Sequence, residues 1–110
     1  MSRSALAALA LGAALALASS AALAHGPTVR LAADGADPAV LEIERGQTVH
    51  FVNASARTQR VRGDDDAFRS PELPAGGAGW HLPFPFPGRF GYALEGAPEV
   101  RGAIVVKPGG

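Results

Sequence analysis

Apolar side chains alternate with polar ones, at a period of two, in several short runs between Thr28 and Lys107. Residues that alternate in this way place one apolar face on a half-buried β-strand. Clusters of turn-forming residues, such as Asp34–Pro38 and Pro87–Gly88, separate the runs. After the first 24 residues, no segment has the apolar spacing of a helix over three turns. The pattern therefore predicts an all-β sandwich of about seven short strands with Greek-key connections.

The alternation also assigns the strands. One run, from Trp80 to Pro85, carries prolines at outward positions, where they cannot donate ladder hydrogen bonds, so we predict that this strand either lies at a sheet edge or is irregular. A long loop, Gly63–Gly79, precedes it. The seven predicted strands are Thr28–Ala33, a run through Val40, Leu41 and Ile43, Gln47–Asn53, Gln59–Arg62, the run from Trp80, a run from Phe90 to Leu94, and Gly102–Lys107.

The first 24 residues have the three parts of a secretory signal peptide. Arg3 supplies a positive charge, and Ala5–Ala18 form an apolar stretch that is shorter than the roughly 20 residues of a membrane span. Ala22, Leu23 and Ala24 then give the small-x-small pattern of a cleavage site. An uncleaved anchor is the alternative interpretation. We predict a signal peptide over residues 1–24 and a mature domain over residues 25–110, in the periplasm or outside the cell, with no membrane anchor after cleavage.

Cysteine is absent from the chain, and its basic and acidic residues balance. Without Arg3, the mature domain has nine Lys and Arg against ten Asp and Glu, a formal charge of −1. So small a charge provides no field that would attract nucleic acid. The lack of cysteine excludes disulfides, cysteine-based zinc sites and a cysteine nucleophile. We therefore expect core packing alone to hold the domain together.

Four stretches of the chain line up, in order, with one family. They are PAVLEIERGQTVHFVN at 38–53, FRSPELPAGGAGW at 68–80, FPFPGRFGY at 84–92 and RGAIVVKP at 101–108. In this order they resemble the second and third strands, a connection, and the last two strands of plastocyanin- or azurin-like cupredoxins. The resemblance covers roughly residues 38–108 and implies a Greek-key cupredoxin-like β-sandwich.

A blue-copper site needs two His, one Cys thiolate and usually a distant axial Met. In the resembled family the first His follows the strand-ending Asn by about six residues, a position that is Gln59 here, or a neighbouring residue if the loop register differs. The other three ligands come from a loop whose spacing is kept here, with Leu94 at the Cys position, Ala97 at the second His position and Val100 at the Met position. Another register cannot restore the site, since the chain has no Cys and only the initiator Met. The resemblance therefore implies a member without a blue-copper site, whose emptied pocket apolar residues fill.

His25 is the sharpest candidate for remaining metal chemistry. Cleavage after Ala24 would give it a free amino group beside its imidazole, and Cu(II) prefers such nitrogen donors. This resembles the histidine brace of several secreted copper proteins, in which a further His completes the ligand set. The available partners are His50 and His81, both predicted to face outward, where polar strand residues are also ordinary. The alternative is a frayed, solvated terminus without a ligand role.

Two functions follow from these residues. Since no G-x-S-x-G, phosphate loop or H-E-x-x-H motif occurs, we predict no enzyme activity. The leading hypothesis is a non-redox binding or accessory module that acts through its surface on an unidentified protein of the periplasm. The alternative is a copper-binding or copper-handling protein that uses His25 with His50 or His81. Nothing in the pattern indicates an oligomeric state.

Overall fold

The structure, a computed structural model, describes residues 26–109. The predicted signal peptide and His25 lie outside the described residues. Two four-stranded sheets build this part of the chain. Within it, no helix is long and apolar enough to cross a bilayer.

The first sheet has the strand order β2-β1-β4-β6. Its members are β1 (Thr28–Ala32), β2 (Gly35–Asp37), β4 (Thr48–Asn53) and β6 (Gly79–Pro83). Strands β1 and β4 run parallel, whereas β2 pairs antiparallel with β1 and β6 antiparallel with β4. Of the two alternatives predicted for the Trp80 run, the structure shows the edge strand, because β6 is the last strand of this sheet.

The second sheet has the order β3-β8-β7-β5. It consists of β3 (Val40–Ile43), β5 (Val61–Gly63), β7 (Gly88–Leu94) and β8 (Ala97–Val106). Strand β8 pairs parallel with β3 and antiparallel with β7, and β7 pairs antiparallel with β5. A single-turn 3-10 helix, Asp64–Asp66, follows β5.

The inward side chains of both sheets form one apolar core. Phe51 of β4 contacts Tyr92 of β7 across the sandwich, edge to face, with ring centroids 5.3 Å apart. Such aromatic pairs contribute about 0.5–1.5 kcal/mol beyond the area they bury. The fully buried members are Val29, Leu31, Val49, Phe51, Val61, Tyr92 and Ile104. The prediction of an all-β sandwich is confirmed.

Several strand boundaries differ from the predictions; the Trp80 run, for example, ends at Pro83 instead of Pro85. An eighth strand exists because Gly35–Asp37, predicted as a turn, folds back and pairs with Arg30–Ala32. The last strand starts at Ala97 rather than Gly102, because the segment before Gly102 continues the ladder with β7 through a bulge. The predicted strand Gln59–Arg62 is displaced to Val61–Gly63, since Gln59 forms an isolated bridge to Leu73 instead.

Tyr92 is the one tyrosine of the chain, and its side chain is fully buried. Its hydroxyl lies over Gly102, where a Cβ would collide with it. No hydrogen-bond partner for this hydroxyl occurs among residues 26–109. Burial raises the pKa of Tyr92 to about 12, because the apolar surroundings disfavour the phenolate.

Tyr92 gives a prediction for stability at high pH. The unfolded state loses the phenolic proton near pH 10 and the folded state only near pH 12, so the folded state binds more protons between them. The free energy of unfolding should therefore fall above pH 10, by up to about 1.4 kcal/mol per pH unit.

Urea unfolding at neutral pH and at about pH 11 measures this loss, with Tyr92→Phe as the matched control. The variant keeps every Lys and Arg, so titration of these residues affects both proteins alike. Because the variant lacks the phenol, it should lose less stability at high pH than the unaltered protein. At neutral pH it should be more stable by about 1 kcal/mol, because it removes a buried hydroxyl without a partner. An equal alkaline loss in both proteins would contradict this account of Tyr92.

Candidate functional site

The end of the sandwich where β4 and β7 finish contains the four positions matched to copper ligands. The loop after β4 is organised by Asn53, which is fully buried. Its amide nitrogen donates to the carbonyl oxygens of Arg57 and Leu73, each at 2.8 Å. Its side-chain oxygen accepts from the Ser55 hydroxyl at 2.7 Å and from the Ser55 backbone N–H at 3.0 Å. Asn53 therefore fixes the path of the chain from the end of β4 towards Gln59.

Gln59 points into this end of the molecule, with only 7% of its surface exposed. Its backbone N–H donates to the Leu73 carbonyl at 2.9 Å, and its side-chain nitrogen lies 3.5 Å from the Ser55 hydroxyl. Its side-chain oxygen faces Gly96, where a Cβ would lie 3.4 Å away, and has no donor among the described residues. The structure thus brings Gln59 next to the turn that joins β7 to β8.

The two strands that this turn joins carry the other three matched positions, Leu94 at the end of β7 and Ala97 and Val100 in β8. Leu94 pairs with Val61 on one side and with Ala97 on the other. The register between β7 and β8 shifts after Ala93, so residues 98–100 bulge out of the ladder. Of the bulged residues, Val100 turns inward and is buried.

Apolar side chains fill the space around these positions. Leu94 and Val100 are 1% and 2% exposed, and both belong to the same hydrophobic cluster. Ala97 is half-buried and packs against that cluster. Each large aliphatic side chain buried in this way contributes about 1.5–3 kcal/mol. Leu94 and Val100 therefore belong to the apolar core at this end of the sandwich.

Charged residues cover the outside of the same end. Arg69 binds Glu95 with two hydrogen bonds, at 2.6 and 3.1 Å, and ties the β7–β8 turn to the long loop. The hydrogen bond from Arg69 lowers the pKa of the Glu95 carboxyl below its ordinary value. Exposed ion pairs of this kind stabilise a fold only weakly.

A groove of about 700 Å³ lies beside this pair, on the outer face of the second sheet. Arg101 donates to both carboxylate oxygens of Asp64, at 2.8 and 3.0 Å. A guanidinium nitrogen of Arg62 lies 2.6 Å from a carboxylate oxygen of Asp66. The Asp64 carboxylate rests on Gly91, where a Cβ would collide with it. This charged groove, lined by Arg62, Asp64, Asp66, Glu95 and Arg101, lies near the end that carries the four matched positions.

The two described histidines lie elsewhere, on the outer face of the first sheet. His50 of β4 and His81 of β6 are direct cross-strand partners. Their rings stack, with centroids 4.1 Å apart and planes 14° apart. Both face outward, as the alternation predicts, with His50 half-buried and His81 exposed. Among residues 26–109 no three His, Cys, Asp or Glu side chains converge on a metal-sized site.

Comparison with solved structures identifies the fold. The purple cupredoxin from Nitrosopumilus maritimus matches with a TM-score of 0.69 and 22% identity, over 74% of this chain and 99% of that chain. An oxidised amicyanin variant matches with a TM-score of 0.67 and 23% identity, over 76% of this chain and 83% of that chain. A reduced Cu(I) amicyanin variant matches with a TM-score of 0.66 and 23% identity, over 74% of this chain and 81% of that chain.

The chain therefore has a cupredoxin-like fold, and the resemblance seen in the sequence is confirmed. It also lacks the cysteine that a blue-copper site requires. No family model matches the chain. No curated protein matches it either.

Two features of the structure do not follow from the sequence pattern. The pattern places His50 and His81 at outward positions and offers both as partners of His25, but it does not predict that the two rings stack. The stacked pair depends on the register of β6 against β4, and the long Gly63–Gly79 loop leaves that register open. The charged groove depends on Asp64 meeting Arg101 across the sheet, at a separation in sequence that no local motif marks.

The assignment of Gln59, Leu94, Ala97 and Val100 to ligand positions can be tested by restoring the ligands. A variant with Gln59→His, Leu94→Cys, Ala97→His and Val100→Met should bind Cu(II) and show intense blue absorption. The loop spacing and the fold already place these positions at one end of the sandwich.

The matched control carries the other three substitutions and keeps Leu94, and it should remain colourless because it lacks the thiolate. Circular dichroism establishes that both proteins fold. A folded four-substitution variant that binds Cu(II) without blue absorption would show that these four positions are not the ligand positions.

Proposed function

We propose that this protein is a secreted, non-redox cupredoxin-like module that binds another protein of the periplasm or cell exterior through its surface. The observation that carries the proposal is the burial of Leu94 and Val100 at the matched Cys and Met positions. A thiolate is what gives a blue-copper centre its character, and an aliphatic side chain cannot replace it. The buried end therefore serves the stability of the fold and leaves function to the surface.

The charged groove supports this role. It lies on an open sheet face and alternates basic and acidic groups, which form exposed pairs with one another. Exposed pairs exchange partners at little cost, because each contributes little to stability. A protein partner with charges of both signs would be complementary to such a surface, and electrostatic complementarity of this kind mainly sets specificity and association rate.

The secreted location rests on the N-terminal segment. Arg3, the apolar stretch Ala5–Ala18 and the small residues around Ala24 together form the pattern of a cleaved signal peptide. The proposed mature protein starts at His25.

The first test of the proposal is whether the protein forms a redox-active copper centre. The mature protein should show no intense blue absorption when Cu(II) is added, and voltammetry should give no reversible copper couple of the blue-copper type. Amicyanin serves as the positive control. An intense blue band from the unaltered protein would overturn the proposal.

Binding at the groove is tested by cross-linking. A photo-cross-linking amino acid at Arg101, in the groove, should capture a specific partner when the full-length chain is produced in its native host. The matched control places the same group at Arg30, an exposed arginine on the first sheet. Equal capture from both positions, or none from the groove, would argue against this surface.

A second function, copper handling by mature His25 with His50 or His81, has one specific observation in its favour. Thr28 pairs with His50, and the His50 backbone N–H donates to the Pro27 carbonyl at 2.8 Å. His25 precedes Thr28 by three residues, a separation that spans at most about 11 Å of extended chain. The proposed terminus thus has the length to reach the histidine pair.

This alternative is separated from the first by the state of the N-terminus. Cu(II) is titrated into protein that begins at His25 and into protein with one additional residue before it. If the terminal amine is a ligand, the extension should remove the tight site and change the EPR spectrum. Identical binding by both forms would exclude a role for the terminal amine.

A further inference from the structure

The stacked histidines form a pair whose backbone geometry brings the two rings close together. The His50 backbone N–H points to Pro27 on the β1 side, away from β6. His50 and His81 are therefore a non-hydrogen-bonded pair of the antiparallel β4–β6 ladder. In such pairs the Cα atoms are only about 4.5 Å apart and the side chains are closer than in hydrogen-bonded pairs.

The sequence of β6 makes room for this arrangement. Gly79 lies on the same face as His81, two residues earlier, and a Cβ there would collide with the His50 ring nitrogen Nε2. A side chain at position 79 would thus displace the His50 ring from its present place. The glycine permits the two imidazoles to lie side by side on the outer face of the sheet.

The separation of the rings is close to what two ligands of one ion require. Imidazole nitrogens bind first-row metals at about 2.0–2.1 Å, so two nitrogens on one ion lie roughly 3–3.4 Å apart. The ring centroids here are 4.1 Å apart, but the ring planes are only 14° from parallel, so the nitrogen lone pairs do not yet converge. Each ring must turn substantially about its side-chain bonds before one nitrogen of each points at a shared ion. Rotation of an imidazole about the terminal side-chain torsion is soft, because that torsion is broad.

We propose that His50 and His81 form a two-imidazole site for a late first-row divalent ion, with Cu(II) preferred. Imidazole suits copper, zinc and nickel, and Cu(II) stands highest among these in intrinsic affinity. Water or one further donor completes the coordination shell. The site lies on an outer sheet face, distinct from the apolar end that contains Leu94 and Val100. It depends on neither the non-redox role nor His25, although it would supply two ligands to the copper-handling alternative.

Calorimetric titration of Cu(II) into the folded mature protein tests the site with three single variants. His50→Gln and His81→Gln should each weaken the affinity for Cu(II) at least about tenfold. Each variant keeps a single imidazole, whereas two imidazoles held on one protein bind the ion more tightly than either does alone. Thr48→Ala is the matched control, since Thr48 lies on the same strand and face as His50, and it should leave the affinity unchanged.

A fourth variant tests the geometry rather than the ligands. Gly79→Ala displaces the His50 ring and should weaken Cu(II) binding, but it should have no further effect when His50→Gln is already present.

In NMR spectra, Zn²⁺ should shift the ring resonances of both histidines together in the unaltered protein. Circular dichroism of every variant establishes that the sheet is intact.

The N-terminal extension distinguishes this site from the one that rests on His25. Binding that survives the extension but is lost with either histidine supports the two-imidazole site. Loss in both cases supports the same site with the terminus as a third donor. Binding that is lost on extension and unchanged in both histidine variants would overturn the proposal, as would a Zn²⁺-induced shift of only one ring.

Discussion

The packing of Phe51 against Tyr92 joins the two sheets, and the rest of the structure depends on the apolar core around this contact. The chain has no cysteine, so no disulfide limits the unfolded ensemble. Large side chains from both sheets are fully buried here. Removing the apolar surface of each from water contributes about 1.5–3 kcal/mol to the stability of the fold. The sandwich is thus stabilised by interdigitation of two apolar faces, with the polar network of Asn53 ordering the loop at one end.

The same core explains how a cupredoxin-like fold can exist without its metal centre. Leu94 and Val100 extend the cluster to the end of β7 and the bulge of β8, where the resemblance places a thiolate and a thioether. A buried thiol or imidazole without its ion would leave a polar group unsatisfied, whereas an aliphatic group adds packing. Gln59 is the polar exception, since its side-chain oxygen stays buried without a donor among the described residues. We propose that the loop spacing kept in the sequence serves packing instead of coordination.

The sequence predicts best the elements in which side-chain alternation and burial agree. In β4, Val49 and Phe51 point inward, and in β7, Tyr92 and Leu94 do the same. Strand β2 was missed because Gly35–Asp37 has turn-forming residues and owes its strand character to backbone pairing with β1. The start of β8 was missed because Pro98 and Glu99 interrupt the alternation at the bulge.

For the candidate sites, the apolar filling at Leu94 and Val100 followed from residue type and spacing. The adjacency of His50 and His81 did not, since it results from strand register set by the whole sandwich rather than by a local turn. The same limit applies to the contact between Asp64 and Arg101, which the second sheet brings together. Tertiary pairing, more than local pattern, decides which polar side chains meet on the surface.

Two regions of the molecule thus have separate roles in this account. We propose that the end that carries Gln59, Leu94, Ala97 and Val100 is structural and that the outer sheet faces interact with ions and proteins. A crystal structure of the mature protein soaked in Cu(II), with the copper located by anomalous scattering, tests this division most directly. We predict no copper among those four residues and a copper peak beside His50 and His81. A copper ion bound at the apolar end would contradict the account.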